Sequence, residues 1–164
     1  MIEKIEVKIE RMYDGVILPK YKHDGDSGMD IHAYFPIIDD DVFDEIVINF
    51  QETVLIKTGI KVAIPMGYEI QVRPRSGLAL KYSITILNSP GTVDAGYRGE
   101  IGVIIHNAGV EEVHFYHGDR IAQIVLQKVP QIKWNEVESV DLDSTRAEGG
   151  FGSTGVKQWM KLNT

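Results

Sequence analysis

The sequence predicts an all-β fold of many short strands, arranged as a sandwich, jelly roll or barrel, and three observations predict it. Apolar residues recur at every second position. Turn signals rich in glycine and proline break the chain at short intervals. Only Ser76 to Tyr82 looks helical, enough for about two turns with Ser76 near its start.

The strands follow in order. Ile5, Val7 and Ile9 alternate with Glu6, Lys8 and Glu10. Val54 and Ile56, then Ile60, Val62 and Ile64, continue the pattern on either side of Thr58-Gly59, and Ile70 and Val72 follow. Further β-rich runs cover 84–87, 101–106, 113–116 and 121–129. Pro65-Met66-Gly67, Ser89-Pro90-Gly91, Asn107-Ala108-Gly109 and His117-Gly118-Asp119 are the turns between them.

A chain of 164 residues, 43% hydrophobic and 25% charged, supports one domain with a real core. No internal repeat or linker divides it. Its net charge of −7 gives no global basic field for nucleic acid, so an anionic ligand must be held by a local cluster of donors. The absence of cysteine excludes a disulfide scaffold, a thiolate zinc site and a cysteine nucleophile. The alternating N-terminus is no signal peptide and no apolar run spans a bilayer, so a cytoplasmic protein is expected. The five histidines lack zinc-ligand spacing and read as surface or core fillers. The acidic stretch 36–45, with Asp39, Asp40, Asp41, Asp44 and Glu45, lacks calcium-loop spacing and reads as a solvated loop.

Three segments are more specialised. In Arg73-Pro74-Arg75-Ser76-Gly77, two arginines and a hydroxyl precede a helix start, where side chains and free backbone N–H groups can converge on an anion. The alternative is an exposed strand end with an ordinary cap. Residues 91–99 hold three glycines, permitting a tight hairpin whose backbone approaches a ligand, with Asp94 as a general base and Tyr97 as a flat stacking face. Taken alone, Asp-Ala-Gly is better read as ordinary turn chemistry. In 146–155, four of the glycines surround Phe151, with Arg146 before it and Ser153 and Thr154 after it. This suits a lid that stacks on a base and closes over phosphates; a plain Gly/Ser/Thr-rich tail from Leu142 onward is the alternative. Together the segments point to a protein that binds or hydrolyses a nucleotide phosphate.

Five ordered motifs then carry a resemblance to the trimeric dUTPases: Ser27-Gly28-Met29-Asp30-Ile31-His32-Ala33, Arg73-Pro74-Arg75-Ser76-Gly77-Leu78-Ala79, residues 91–99, Gly118-Asp119-Arg120-Ile121-Ala122-Gln123, and residues 146–155. The resemblance runs from about residue 5 to 155. It implies a distorted jelly-roll (β-clip) barrel with one short helix, assembling as a homotrimer. The jelly-roll domain is expected over 1–141, with a flexible glycine-rich lid and tail over 142–164.

It further implies cleavage of dUTP to dUMP and pyrophosphate. Asp94 would activate a water for attack on the α-phosphorus, with Mg2+ held mainly by triphosphate and water and Asp30 as an outer-shell partner. Arg75, Ser76, Gly77 and Gln123 match phosphate-contacting positions. Asn88 and the backbone of Thr92 and Val93 match a uracil-reading slot that leaves no room for the C5 methyl of thymine, and Tyr97 packs beneath the deoxyribose. Phe151 stacks on uracil while Arg146, Gly152, Ser153 and Thr154 close over the phosphates. Each active site draws motifs one, two and four from one chain, motif three from a second and the tail from a third. The run Ile121 to Leu126, apolar on both faces, suits a strand at such an inter-subunit axis and equally an ordinary sandwich-core strand.

Ser27 stands where alanine is commoner, the acidic stretch is long, and nine residues including Trp159 extend past Gly155. Two rivals share the fold. A dCTP deaminase needs a carboxylate on the strand after motif three, which here reads Ile101-Gly102-Val103-Ile104-Ile105 with no acid until Glu111. A nucleotide-sensing regulator would use the acidic loop to dock a protein partner, a role compatible with catalysis.

Overall fold

In a computed structural model, residues 2–38, 41–42 and 45–140 are described. Twelve strands and one helix run in the order β1 (Lys8–Arg11), β2 (Met29–His32), β3 (Ile37–Ile38), β4 (Asp41–Val42), β5 (Glu45–Ile48), β6 (Thr53–Ala63), β7 (Tyr68–Arg73), α1 (Ser76–Tyr82), β8 (Ile84–Ile86), β9 (Gly91–Val93), β10 (Glu100–Asn107), β11 (Val113–Tyr116) and β12 (Arg120–Lys128). The described residues are thus mostly β with a single short helix. Among them no helix is long and apolar enough to cross a membrane.

Two four-stranded sheets, β1-β6-β10-β8 and β2-β12-β7-β9, and a two-stranded pair β11-β5 supply the core, and β3 pairs with β4. The pairings are antiparallel. Alternation decides which side chains go inward: Ile101, Val103, Ile105 and Asn107 of β10 are buried while the residues between them are half-exposed. Ile56 and Ile60 of β6, Ile70 and Val72 of β7, and Ile31 of β2 meet them in one cluster with Ile48 and Phe115. Each such side chain contributes roughly 1.5–3 kcal/mol by leaving water.

The structure refines the sequence reading at four places. Thr58-Gly59 does not separate two strands; β6 runs through it for 11 residues. The N-terminal alternation is strand only at Lys8–Arg11. Residues 91–99 do not form a ladder-paired hairpin, because β9 bonds to β7 in one sheet and β10 to β6 and β8 in the other. The apolar residues of β12 are satisfied within one chain. Ile121, Ala122, Ile124 and Val125 are all buried there, helped by a register shift between Arg120 and Ala122 that brings an extra residue to the strand's start. Leu126 of the same run stays half-exposed.

The chain divides into two units, Met1–Gln131 and Ile132–Thr164. The described part of the second unit, 132–140, holds no helix or strand.

Candidate active site

The end of β7 and the start of α1 bring several donor groups together in one cradle. Arg75 is the N-cap of α1, with extended backbone (φ −89, ψ 129), and its carbonyl accepts the N–H of Ala79 at 3.0 Å. Ser76 is therefore the first helical residue, and not the cap. No side chain caps this end and its first turn carries no acid, so the opening N–H groups keep their donor capacity for a ligand. Ser76 and Gly77 are both exposed.

The Arg75 guanidinium is fixed by motif one. Its Nε donates to Asp30 Oδ1 at 2.8 Å and its Nη2 to Oδ2 at 3.4 Å, while Nη1 donates to the Arg120 carbonyl at 3.2 Å. Arg120 adds a second cation 3.8 Å from Asp30 Oδ2. Asp30 thus acts first as the orienter of an arginine fork, a geometry that matches carboxylate and phosphate alike. Gln123, paired in register with both Asp30 and Arg73, donates its Nε2 to the Pro74 carbonyl at 2.9 Å. A Cβ at Gly28 would sit 2.6 Å from Gln123 Oε1, so glycine is what lets motif one lie against motif four. Arg73 turns away to its own strand, donating to Gln71 Oε1 from Nε and Nη2 at 3.0 and 2.6 Å. Of the two arginines in the motif, only Arg75 belongs to the cradle.

Beside Arg75 and Arg120 opens a cleft of about 570 Å³ with Lys81 on its wall and Glu111, Glu112 and His114 also lining it. Its lining balances three cations, Arg75, Lys81 and Arg120, with three carboxylates, Glu111, Glu112 and Asp119. Next to Asp30, His32 has a buried Nδ1 without a hydrogen-bond partner. Burial pushes the His32 pKa down, against the opposing pull of Asp30.

The second half of the proposed chemistry lies on a separate surface. Leu87 and Ser89 donate backbone N–H groups to Ile104 and Ile86, and β9 then joins β7 with Thr92 opposite Gln71. A Cβ on buried Gly91 would meet Asn88 Nδ2 at 3.1 Å, so the glycine admits the Asn88 amide beside β9. Asp94 follows at a turn closed by the Tyr97 N–H on its carbonyl at 3.0 Å, and its side chain is exposed. Thr92, Val93, Asp94 and Tyr97, with Glu100, Ile101 and Gly102, line a cleft of about 160 Å³. None of Asp30, Arg75, Ser76 or Gln123 lines it. Hydrogen bonds and register thus join motifs one, two and four, while motif three starts on β9 beside β7 and carries Asp94 into a cleft of its own.

Glu100, at the start of β10, takes the Gly59 N–H at 2.8 Å and lies 3.8 Å from Lys57. The rest of β10 carries no carboxylate. Among the described residues no group of three His, Asp or Glu side chains can hold a metal ion. An ion bound chiefly by substrate phosphates and water needs no such cage. Arg146, Phe151, Gly152, Ser153 and Thr154, the expected lid residues, lie outside the described residues, as do Asp39, Asp40 and Asp44. The rest of the acidic stretch is not a plain loop, since β3 and β4 pair within it and β5 starts at Glu45. Arg120 and Gly28 were not singled out by sequence reasoning, although both stand inside the quoted motifs.

Comparison with known proteins bears on the whole chain. A family model described as dUTPase matches residues 14–155. The deoxyuridine 5'-triphosphate nucleotidohydrolase of Fusobacterium nucleatum is 50% identical over 155 residues, 94% of this chain and 99% of that protein. That of Alkaliphilus metalliredigens is 50% identical over 92% of this chain and 98% of its own length. Among solved structures, the Staphylococcus bacteriophage 80alpha dUTPase with dUPNHPP superposes with a TM-score of 0.81 at 27% identity, covering 93% of this chain and all (100%) of that one. A family-model match over residues 14–155, with a relative 50% identical over 94% of the chain, shows that this chain belongs to the dUTPase family.

Proposed function

We propose that the chain hydrolyses dUTP to dUMP and pyrophosphate, at sites shared between the copies of a homotrimer of distorted jelly-roll (β-clip) barrels. The observation that carries this is the uncapped start of α1 beside an Arg75 fork locked by Asp30. In the proposed site the free N–H groups of Ser76 and Gly77 and the Arg75 guanidinium hold the triphosphate, with Gln123 against the same loop. Thr92, Val93 and Asn88 present the slot for uracil, and Tyr97 underlies the sugar where a 2′-hydroxyl would collide. The Asp94 carboxylate orients a water and takes its proton as the water attacks the α-phosphorus, releasing pyrophosphate. When bound, Mg2+ would neutralise charge on the phosphates, with Asp30, whose oxygens serve Arg75, as an outer-shell partner. Residues 1–141 are the catalytic domain, and 142–164 hold the closing segment.

Deamination of dCTP is the weaker reading, because Glu100, the one carboxylate of β10, is already engaged by Gly59 and Lys57. The test is a product assay with magnesium on dUTP, dTTP, dCTP and UTP, paired with Asp94→Asn. Pyrophosphate and dUMP from dUTP alone are expected, with turnover by Asp94→Asn down by roughly 10²–10⁴-fold and binding of a non-hydrolysable dUTP analogue kept. Near-normal turnover by that variant removes Asp94 as the base. Binding of dUTP without any product turns the reading to a nucleotide sensor.

A further inference from the structure

The turn that carries Asp94 is tied from behind by a residue to which no role has been given. Arg98 folds back over its own chain, and its Nη1 donates to both the Ala95 and the Tyr97 carbonyls at 2.7 Å each. Among the described residues no carboxylate lies within salt-bridge distance of Arg98, although Glu10 shares a shallow cleft with it. The cation is therefore committed to backbone, across the two carbonyls of the Asp94–Tyr97 turn. A charged donor on a carbonyl makes a stronger bond than a neutral one.

The far end of the turn is held as well. Tyr97 donates its hydroxyl to the Glu100 carbonyl at 2.9 Å. Its ring lies across Gly99, where an added Cβ would come within 2.6 Å of the ring's Cζ. Glu100 is in turn fastened to β6 through the Gly59 N–H. The chain of contacts runs from a core strand to the Tyr97 ring and, through Arg98, to the peptide next to Asp94.

We propose that Arg98 is a positioning residue that sets the Asp94 carboxylate and the Tyr97 ring in one fixed relation, so that base and sugar platform are presented together. The proposal rests on the assignment of Asp94 as base and Tyr97 as sugar platform. Freed from the guanidinium, the Ala95 and Tyr97 peptides can rotate, moving the carboxylate off the water's line of attack and loosening the ring. An offset of about 1 Å is enough to lower a rate by about 100-fold.

The experiment compares wild type, Arg98→Ala and Arg98→Lys for kcat and KM on dUTP and UTP, with melting temperature alongside. Arg98→Ala is expected to lower kcat for dUTP by about 10–100-fold with a smaller change in KM, to narrow the preference for dUTP over UTP, and to melt near wild type. Arg98→Lys, which keeps a donor for the same carbonyls, is expected to recover part of both losses. Wild-type kcat and selectivity in Arg98→Ala would overturn the proposal. So would a rate loss that lysine does not mend and that follows a fall in melting temperature. Near-normal turnover by Asp94→Asn, measured in the same series, strikes the base assignment instead and is read independently of Arg98.

Discussion

At the residue scale, Gly59 shows what a missing Cβ does for this fold. It sits inside β6 at φ +68, and an added Cβ would meet Val16 Cγ2 at 2.5 Å and the Tyr34 ring at 3.2 Å. Tyr34 stacks on Tyr13 with centroids 5.0 Å apart, so the ring has little freedom to retreat. Gly59→Ala combines left-handed backbone with overpacking and is expected to cost about 3 kcal/mol, read from denaturant unfolding. The sequence shows the alternation continuing on either side of Thr58-Gly59, and glycine among alternating residues signals either a turn or a close approach. The long-range contacts that decide between these are absent from a local pattern. Thr58 is the same lesson: its buried hydroxyl donates to the Ile101 carbonyl at 2.6 Å, at the register shift of β10 against β6. Site residues divide likewise. The turn at Asp94 and the helix start at Ser76 were legible because turn and helix-start chemistry is local. The Asp30–Arg75 fork was not, because its partners lie 45 residues apart.

At the element scale, period-two alternation located β10, β11 and β12 almost to the residue, but it could not say which strands share a sheet. The supposed hairpin at 91–99 is the instance: its two sides belong to different sheets, which places Asp94 at a crossing between them. The pair β5–β11 carries a testable clamp. His114 Nδ1 lies 2.9 Å from Glu45 Oε2, and Nε2 lies 3.3 Å from Glu112 Oε1. Hydrogen bonds to these carboxylates raise the His114 pKa above its ordinary 6.5, and the bond from His114 lowers that of Glu45 below its ordinary 4.5. The histidine's contribution is complete below pH 6.5 and fades as pH rises through its raised folded value. The glutamate's is complete above pH 4.5 and fades as pH falls through its lowered folded value. The clamp is therefore strongest between those values. The gap in melting temperature between wild type and His114→Gln should be widest near pH 5.5, midway between those values, and shrink toward pH 8. A gap independent of pH would show that the ion pairs contribute nothing.

At the scale of the whole molecule, an acidic protein of net charge −7 has to grip a triphosphate with a few converging cations. Arg75, Arg120 and Gln123 meet at the end of β7, while the cleft at Asp94 is lined by none of them. If sites are completed between copies of a trimer, two inactive variants should rescue each other. Asp94→Asn removes the base but leaves the cradle; Arg75→Ala removes the guanidinium but leaves the base. Co-refolded in equal amounts, the two variants assort at random, and about one site in four receives Asp94 from one chain and Arg75 from another. Activity should then rise from near zero in each separate preparation toward a quarter of the wild-type value, and only after the chains have exchanged. If each site were built within a single chain, every site would lack either its base or its cation, and mixing would restore nothing. The amplitude of rescue, more than its presence, identifies the architecture. A site that took both residues from a single copy gives zero at every mixing ratio, whereas a shared site gives a yield proportional to the product of the two fractions and greatest at equal amounts.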